Sequence, residues 1–423
     1  MNNTIKLAVA AALLAGASSA NAGIMIPAGD WTLDIGGVVN AYYTSTRASG
    51  DPVTVLGGVN DAGKTTSNIT TGLLPNYLSV SGKTRQNDLD VGFTISINPG
   101  ASTTEAGQQN GGTGSGLLAP RTGNQENRQA FLTFGDKSWG SIKLGKDLGI
   151  YASDAILNDM TLLGVGSAAG GLAGNTTTLG RIGTGFMYAD WKSQVAYSSP
   201  NWNGFSFTAG VTQAWNSNAA LGTSATSSQR GGASPAFEGK AAYEWAGDFG
   251  GKVWVSGISQ KVKGLSGASF VGTKSDRANA FDLGATVNVA GFGLTGYYGE
   301  GEGTGTTVLL RDGFDASGNA RDSQDWYVQG TYTIPTVGTK LGLSYGRSNL
   351  DGNSGESLRS YENKMWTVGA YHPITKHLNL VAEYSDVKSE IEAGAGTGVF
   401  LGQNGGNVKG KSKTIALGAI LFF

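Results

Sequence analysis

The chain has 423 residues, with 30 basic and 31 acidic side chains, 69 Gly, 9 Pro and no Cys. A formal charge of −1 leaves no basic excess to bind nucleic acid, and the lack of Cys removes disulfides, thiol nucleophiles and thiolate metal sites. Only 14% of residues are charged, and apolar residues alternate with Gly, Ser, Thr and Asn. A wet interior inside a greasy exterior needs that pattern.

The first element is a leader. Asn2, Asn3 and Lys6 form a short polar, basic start, Leu7 to Ala17 is apolar and small, and Ala20-Asn21-Ala22 is a small-x-small cleavage site. Residues 1–22 therefore read as a cleaved signal peptide, and Gly23 as the start of the mature chain. Without Lys6, 29 basic residues face 31 acidic ones, a net of −2. No later apolar run is long enough for a spanning helix.

Strands follow by period-two spacing. The first starts at Trp31-Leu33-Ile35, and the second is marked by Leu78 and Val80. The third has the clearest alternation: Leu89, Val91, Phe93, Ile95 and Ile97 against Asp90, Gly92, Thr94, Ser96 and Asn98. Strands four and five flank Gly135-Asp136-Lys137, and six and seven flank Pro200-Asn201-Trp202-Asn203. The eighth sets Phe237, Tyr243 and Trp245 against Glu238, Lys240 and Glu244. Seven more are expected near Lys252–Ser256, Ala280–Val289, Gly293–Gly299, Trp326–Ile334, Lys340–Arg347, Met365–Tyr371 and Leu378–Tyr384. The last strand, KSKTIALGAILFF, ends on Phe423 with Ile415, Leu417, Ala419 and Leu421 on one face. The total is about sixteen.

Connections alternate in length. Short ones fall at Lys83–Asn87, Asp136–Trp139, Pro200–Asn203, Ala246–Gly250, Ala290–Phe292, Pro335–Gly338 and Pro373–Lys376. Long ones, rich in small and polar residues, include Ser45–Leu74, Asp147–Gly180, Gln260–Arg277 and Val387–Lys409. A closed barrel with short periplasmic turns and long external loops has this asymmetry. A β-sandwich would space its turns more evenly. In lipid, only closure satisfies the backbone groups of every strand. Trp202, Trp245, Trp326, Trp366, Tyr371 and Tyr384 lie near strand ends, where interface girdles belong.

Four segments carry a family resemblance: NRQAFLTFGDKSWGSIKLGKDLG, YSSPNWNGFSFTAGV, YHPITKHLNLVAEYS and TIALGAILFF. In this order they resemble the general porins of Gram-negative bacteria over nearly the whole mature chain. The resemblance implies an all-β transmembrane antiparallel barrel whose third loop folds into the lumen. It implies a homotrimer in the outer membrane among lipid and lipopolysaccharide, and a water-filled channel for small hydrophilic solutes. It also implies barrel-assembly machinery that reads the terminal Phe423 as its signal. No cofactor, metal or catalytic residue is implied.

The resemblance further implies a filter in which acids on the third loop oppose basic residues on the wall. Asp154 and Asp159 match the loop acids, Asp159 best. Leu162, Leu163 and Gly164 stand where a second acid is usual. Arg128, opening strand four, matches a pore arginine, and Lys143 has the parity of the water-facing side of strand five. Arg181 is the candidate second arginine, although the position counted back from Tyr197-Ser198-Ser199-Pro200 is Asp190. Val38 and Tyr77 occupy two further basic positions, so the expected field is thinned. Ser153 or Asp154 would cap a short helical turn in the loop. Glu238, Lys240, Glu244 and Glu383 read as ordinary lumen charges.

Catalysis has little support. His372 and His377 bracket a periplasmic turn, away from any loop-built site, and Gly111–Gly116 are loop glycines with no helix after them. Asp312, Asp315 and Asp322 match no calcium-cage spacing. Two further readings remain: a substrate-specific channel of the same architecture, for a sugar, phosphate or organic acid, and a non-channel barrel serving as adhesin or structural anchor.

Overall fold

The computed structural model describes residues 23–51, 65–101, 125–167, 176–219, 221–229, 234–267, 270–307, 310–394, 399–400, 403–404 and 407–423. The leader and Gly111–Gly116 lie outside them. Sixteen antiparallel strands close into a barrel. They are β1 Trp31–Gly50, β2 in two pieces (Thr65–Thr70 and Tyr77–Gln86), β3 Leu89–Pro99, β4 in two pieces (Gln125–Glu126 and Ala130–Asp136) and β5 Gly140–Leu148. Next come β6 Trp191–Ser198, β7 Phe205–Thr212, β8 in two pieces (Thr226–Gln229 and Ala236–Trp245), β9 Phe249–Gly267 and β10 Phe270–Val289. The rest are β11 Phe292–Glu302, β12 Asp322–Thr333, β13 Lys340–Asp351, β14 Leu358–Pro373, β15 Leu378–Ala393 and β16 Val408–Phe422.

Every strand pairs with its sequence neighbour, and β16 returns to β1 with Phe422 opposite Val38 and Gly410 opposite Gly50. A short strand, Ile24–Ala28, pairs with the start of β1 just beyond the end of β16. The two chain ends thus share one line of the wall. Phe423 and Gly37 exchange both backbone bonds, at 2.8 and 3.0 Å. A Cβ on Gly37 would lie 2.3 Å from the Tyr77 carbonyl and 2.7 Å from the Phe423 ring, so only glycine lets the ends meet.

Alternation sets the two faces. On β1, Val39 and Tyr43 point outward while Asn40, Thr44 and Thr46 are buried inward. On β16, Ile415 and Leu417 are outside and Ser412 and Thr414 inside. No helix among the described residues is long and apolar enough to cross a membrane; the strands do the crossing.

Several sequence expectations shift. Segments read as loop are strand: β1 runs on to Gly50, and β9 and β10 pair from Phe249↔Val289 to Gly267↔Phe270, through most of Gln260–Arg277. Their outer ends carry charges, Lys261 opposite Arg277 and Val262 opposite Asp276. Beyond the membrane neither face must be apolar, so the alternation that marks the buried part fades while the ladder continues. Trp202 and Trp245 do sit at short turns, and the Trp245 indole donates to the Phe249 carbonyl at 2.8 Å. Tyr371 does not belong to the outer girdle. Its parity turns it inward, and its hydroxyl donates to Glu383 Oε1 at 2.6 Å.

The interior is not uniformly wet. The described part of the third external loop, which runs between β5 and β6, packs Ile156, Leu179, Ile182 and Phe186 against Trp254, Tyr297 and Tyr327 of the wall. Met160 and Val165 pack on Tyr42, Tyr371 and Val381. Two further external loops fold inward above it. Trp215 and Phe314 meet Tyr151 and Met187, and Leu221 reaches Leu350, Tyr361 and Met365. The side of the barrel from β9 to β16 is filled, and open space remains against β1 to β8.

Candidate functional site

The third loop leaves β5 after Leu148 and builds a short helix, α1, Ser153–Leu157, then a 3₁₀ turn, Met160–Leu163. Neither Ser153 nor Asp154 caps α1. Ala152 occupies the cap position at φ 60° without a side-chain bond. Ser153 Oγ instead donates back to the Ile150 carbonyl at 2.9 Å. Asp159 is the residue that caps, at the next turn: Oδ1 accepts from the Thr161 amide at 2.9 Å and Oδ2 from its hydroxyl at 2.8 Å. An acidic side chain at such a start satisfies amides that the turn leaves unpaired.

Wall carboxylates and amines grip the loop at three places. At its start, Glu238 Oε2 accepts the amides of Ile150 and Tyr151 at 2.8 and 2.9 Å, while Oε1 takes Thr212 Oγ1 at 2.7 Å and pairs with Lys192. On α1, Asp154 meets Lys252 at 2.6 Å and Lys240 at 3.2 Å. Just past the 3₁₀ turn, Glu383 Oε2 accepts the amides of Val165 and Gly166 at 2.8 and 2.7 Å. Carboxylate bonds to backbone amides are among the stronger hydrogen bonds, about 1.5–3 kcal/mol each. Glu238, Lys240 and Glu383, read from the sequence as ordinary lumen charges, therefore position the loop. Period-two parity shows that they face inward; nothing in the sequence says that a distant loop arrives to meet them.

The space left between the loop and β1 to β8 is a cavity of about 710 Å³. It extends from Thr32, Asp34 and Lys83, near the periplasmic rim, to Asn98, Arg128 and Asp147, near the outer one. Of the five residues expected at a constriction, Arg128 and Lys143 border it. Arg128 bonds Glu126 at 3.0 Å and Thr176 at 2.9 Å, and its guanidinium lies 5.6 Å from the centre of the Trp191 ring. Lys143 pairs with Asp147, four residues along β5, and sits 4.7 Å above the Phe131 ring. Asp154 lies just behind the lining, under Lys240.

Asp159 and Arg181 sit elsewhere. Both are buried, and neither borders the cavity. Arg181 is 0% exposed, donates to the Met365 carbonyl at 3.2 Å and lies 6.0 Å from the Tyr327 ring centre. Its backbone amide reaches Thr161 Oγ1 at 3.3 Å, beside the Asp159 cap. Asp190 accepts the Trp215 indole at 3.0 Å and the Trp191 amide at 2.7 Å. Among the described residues no cluster of His, Asp or Glu could hold a metal. Asp315 spends its lone pairs on four N–H donors from Ser317, Asn319 and Asn353.

The comparisons agree with this architecture. The outer-membrane channel DcaP of Acinetobacter baumannii superposes with a TM-score of 0.63 at 16% identity, covering 95% of this chain and 100% of that one. The anion-selective porin of Comamonas acidovorans gives 0.56 at 16% identity, covering 93% and 100%. OmpT of Vibrio cholerae, in its trimer form, gives 0.55 at 14% identity, covering 93% and 99%. No curated protein sequence matches. At such identities the superpositions speak for the fold, and the family assignment comes from sequence: the model of Gram-negative porins matches residues 8–391. The chain belongs to that family, and it is an outer-membrane channel for the passive diffusion of solutes.

Proposed function

We propose that permeation runs through the cavity between the third loop and β1 to β8, in each subunit of a homotrimer, and that small hydrophilic solutes and ions are its cargo. The observation that carries this reading is the cavity itself, bordered from the periplasmic rim to the outer one by side chains of one continuous wall. The trimer form of the Vibrio neighbour supports the assembly. Lys83, Arg128, Lys143 and Lys240 border the path against Asp34 and Asp147, while the acids that pair with Arg128 and Lys240, Glu126 and Asp154, stand outside the lining; the charges presented to the path itself are mainly positive, which favours anions. Arg128 and Lys143 act at the constriction, whereas Asp154, Asp159 and Arg181 fix the loop that forms its other side.

The test is single-channel current from purified, unheated protein in a planar bilayer under a KCl gradient. Steady steps closing in thirds at high voltage, with a reversal potential of anionic sign, are the expected result. Well-inserted protein without current would favour the anchor or adhesin reading.

A further inference from the structure

The loop side of the cavity is not the acidic surface that would oppose a basic wall. It presents Leu157 of α1 and Leu162 of the 3₁₀ turn, both half-buried, and Leu73 and Leu74 stand beside them. Asp159, the acid nearest these leucines in sequence, is turned away into its cap. Two ammonium groups of the barrel wall remain partly open to the cavity. Lys143 and Lys240 keep side-chain exposures of 31% and 28%.

Lys240 is the better placed. Its partner Asp154 is held more closely by Lys252, at 2.6 Å against 3.2 Å, and Lys252 also pairs with Glu244 at 3.2 Å, so Lys240 has only a shared carboxylate at the longer distance. Lys240 Nζ also lies 3.0 Å from Ser153 Oγ, which sets it beside the first turn of α1. Leu157 is four residues further on and on the same face, about 5–6 Å away by helix geometry. A partly exposed cation one helical turn from an aliphatic surface matches a small molecule that carries a carboxylate at one end and an apolar body at the other.

We propose that this cavity binds amphiphilic organic monoanions, short carboxylates with an aromatic or alkyl body, as they pass. The carboxylate lies against Lys240 and the body against Leu157 and Leu162. The inference rests on the cavity being the permeation path. Charge alone would hold any anion, and apolar contact alone any greasy solute; the pairing selects molecules with both. A loop acid in place of the leucines would repel the body and neutralise the cation.

The experiment uses the full protein in planar bilayers in KCl, titrated with 3-phenylpropionate, acetate and 3-phenylpropan-1-ol, each block read as a fraction of that channel's own open current. Half-block by 3-phenylpropionate is expected at a concentration about tenfold below either control. Leu157→Asn should bring 3-phenylpropionate to the acetate level while Leu157→Met keeps the preference. Lys240→Gln should bring it to the alcohol level while Lys240→Arg keeps it. Equal block by 3-phenylpropionate and acetate, or by 3-phenylpropionate and the alcohol, overturns the site and leaves the channel standing. Absence of KCl current overturns the channel reading and the site with it.

Discussion

Glu383 on β15 and Gly166 in the middle of the third loop meet at 2.7 Å, carboxylate to backbone amide. The same oxygen takes the Val165 amide, and the other accepts the Tyr371 hydroxyl. The contact is close enough that a Cβ on Gly164 would lie 2.0 Å from Glu383 Oε1. A wall residue thereby fixes a loop more than 200 positions away in sequence.

Glu383→Ala removes both amide bonds and leaves two buried N–H groups unpaired, at about 1–3 kcal/mol each. This part of the loop should then sample open positions. Single-channel records should show rapid flicker that the parent lacks, and Gly164→Val should reproduce it. A quiet Glu383→Ala channel would show that packing of Met160 and Val165 alone holds the loop.

Arg128→Gln tests the wall. One unit charge at about 4 Å is worth about 1 kcal/mol in water, or about fivefold in local ion concentration. The anion-to-cation permeability ratio should fall severalfold. Asp159→Asn, altering a buried cap outside the cavity, should move that ratio little and lower resistance to heat instead. A large selectivity change from Asp159→Asn, with none from Arg128→Gln, would exchange the roles of the two residues.

Arg321 is fully buried among three external loops. It bonds Glu356 at 2.9 and 2.5 Å, Ser224 at 2.8 Å and the Asp312 carbonyl at 2.9 Å. Arg321→Ala strands the Glu356 carboxylate and releases the inward fold of these loops; breaking a buried pair in this way costs about 3–5 kcal/mol. Larger unitary conductance and faster protease cutting within residues 303–321 are expected, with the barrel itself intact by circular dichroism.

Asp315 supplies a pH test on the same external loops. Partial burial works against its charged form, but N–H donors from Asn319, Asn353 and Ser317 hold its carboxyl below the usual carboxylate range. A depressed folded value means that its contribution is complete above the unfolded pKa of about 3.9 and is lost as pH falls through the folded one. The Asp315 contribution to conductance should therefore be level from about pH 8 to 5 and change only below the ordinary carboxylate range. In Asp315→Asn that acid step should be missing. A step near neutral pH in the parent would place the responsible group elsewhere.

How much of this could be read in advance depends on what each feature is made of. All sixteen strands and their short turns follow from period-two spacing, because every membrane strand must alternate between lipid and interior. Strand ends did not follow: the outer halves of β9 and β10 carry Lys261, Lys263 and Arg277 in positions where no lipid imposes a pattern. The helix in the third loop was legible, but not its cap, because Ala152 adopts a left-handed backbone that no side-chain rule announces. The partners of Asp154 were out of reach for another reason. Lys240 and Lys252 lie more than 80 residues away, and strand parity says that a side chain faces the lumen without saying which loop arrives there. Tyr371 illustrates the same limit, since an aromatic near a strand end serves a girdle on one face and a hydrogen bond to Glu383 on the other.

The wall is completed where the two chain ends line up beside β1, Ile24–Ala28 on one half and β16 on the other. The sixteenth strand thus supplies the partner for the first. A product truncated by even one strand would leave β1 with a bare row of amides and carbonyls, which lipid does not tolerate. Closure is in this sense a proofreading of length. A sheet becomes a stable membrane resident only once β16 has met β1, and any chain short of that closure keeps an unpaired edge.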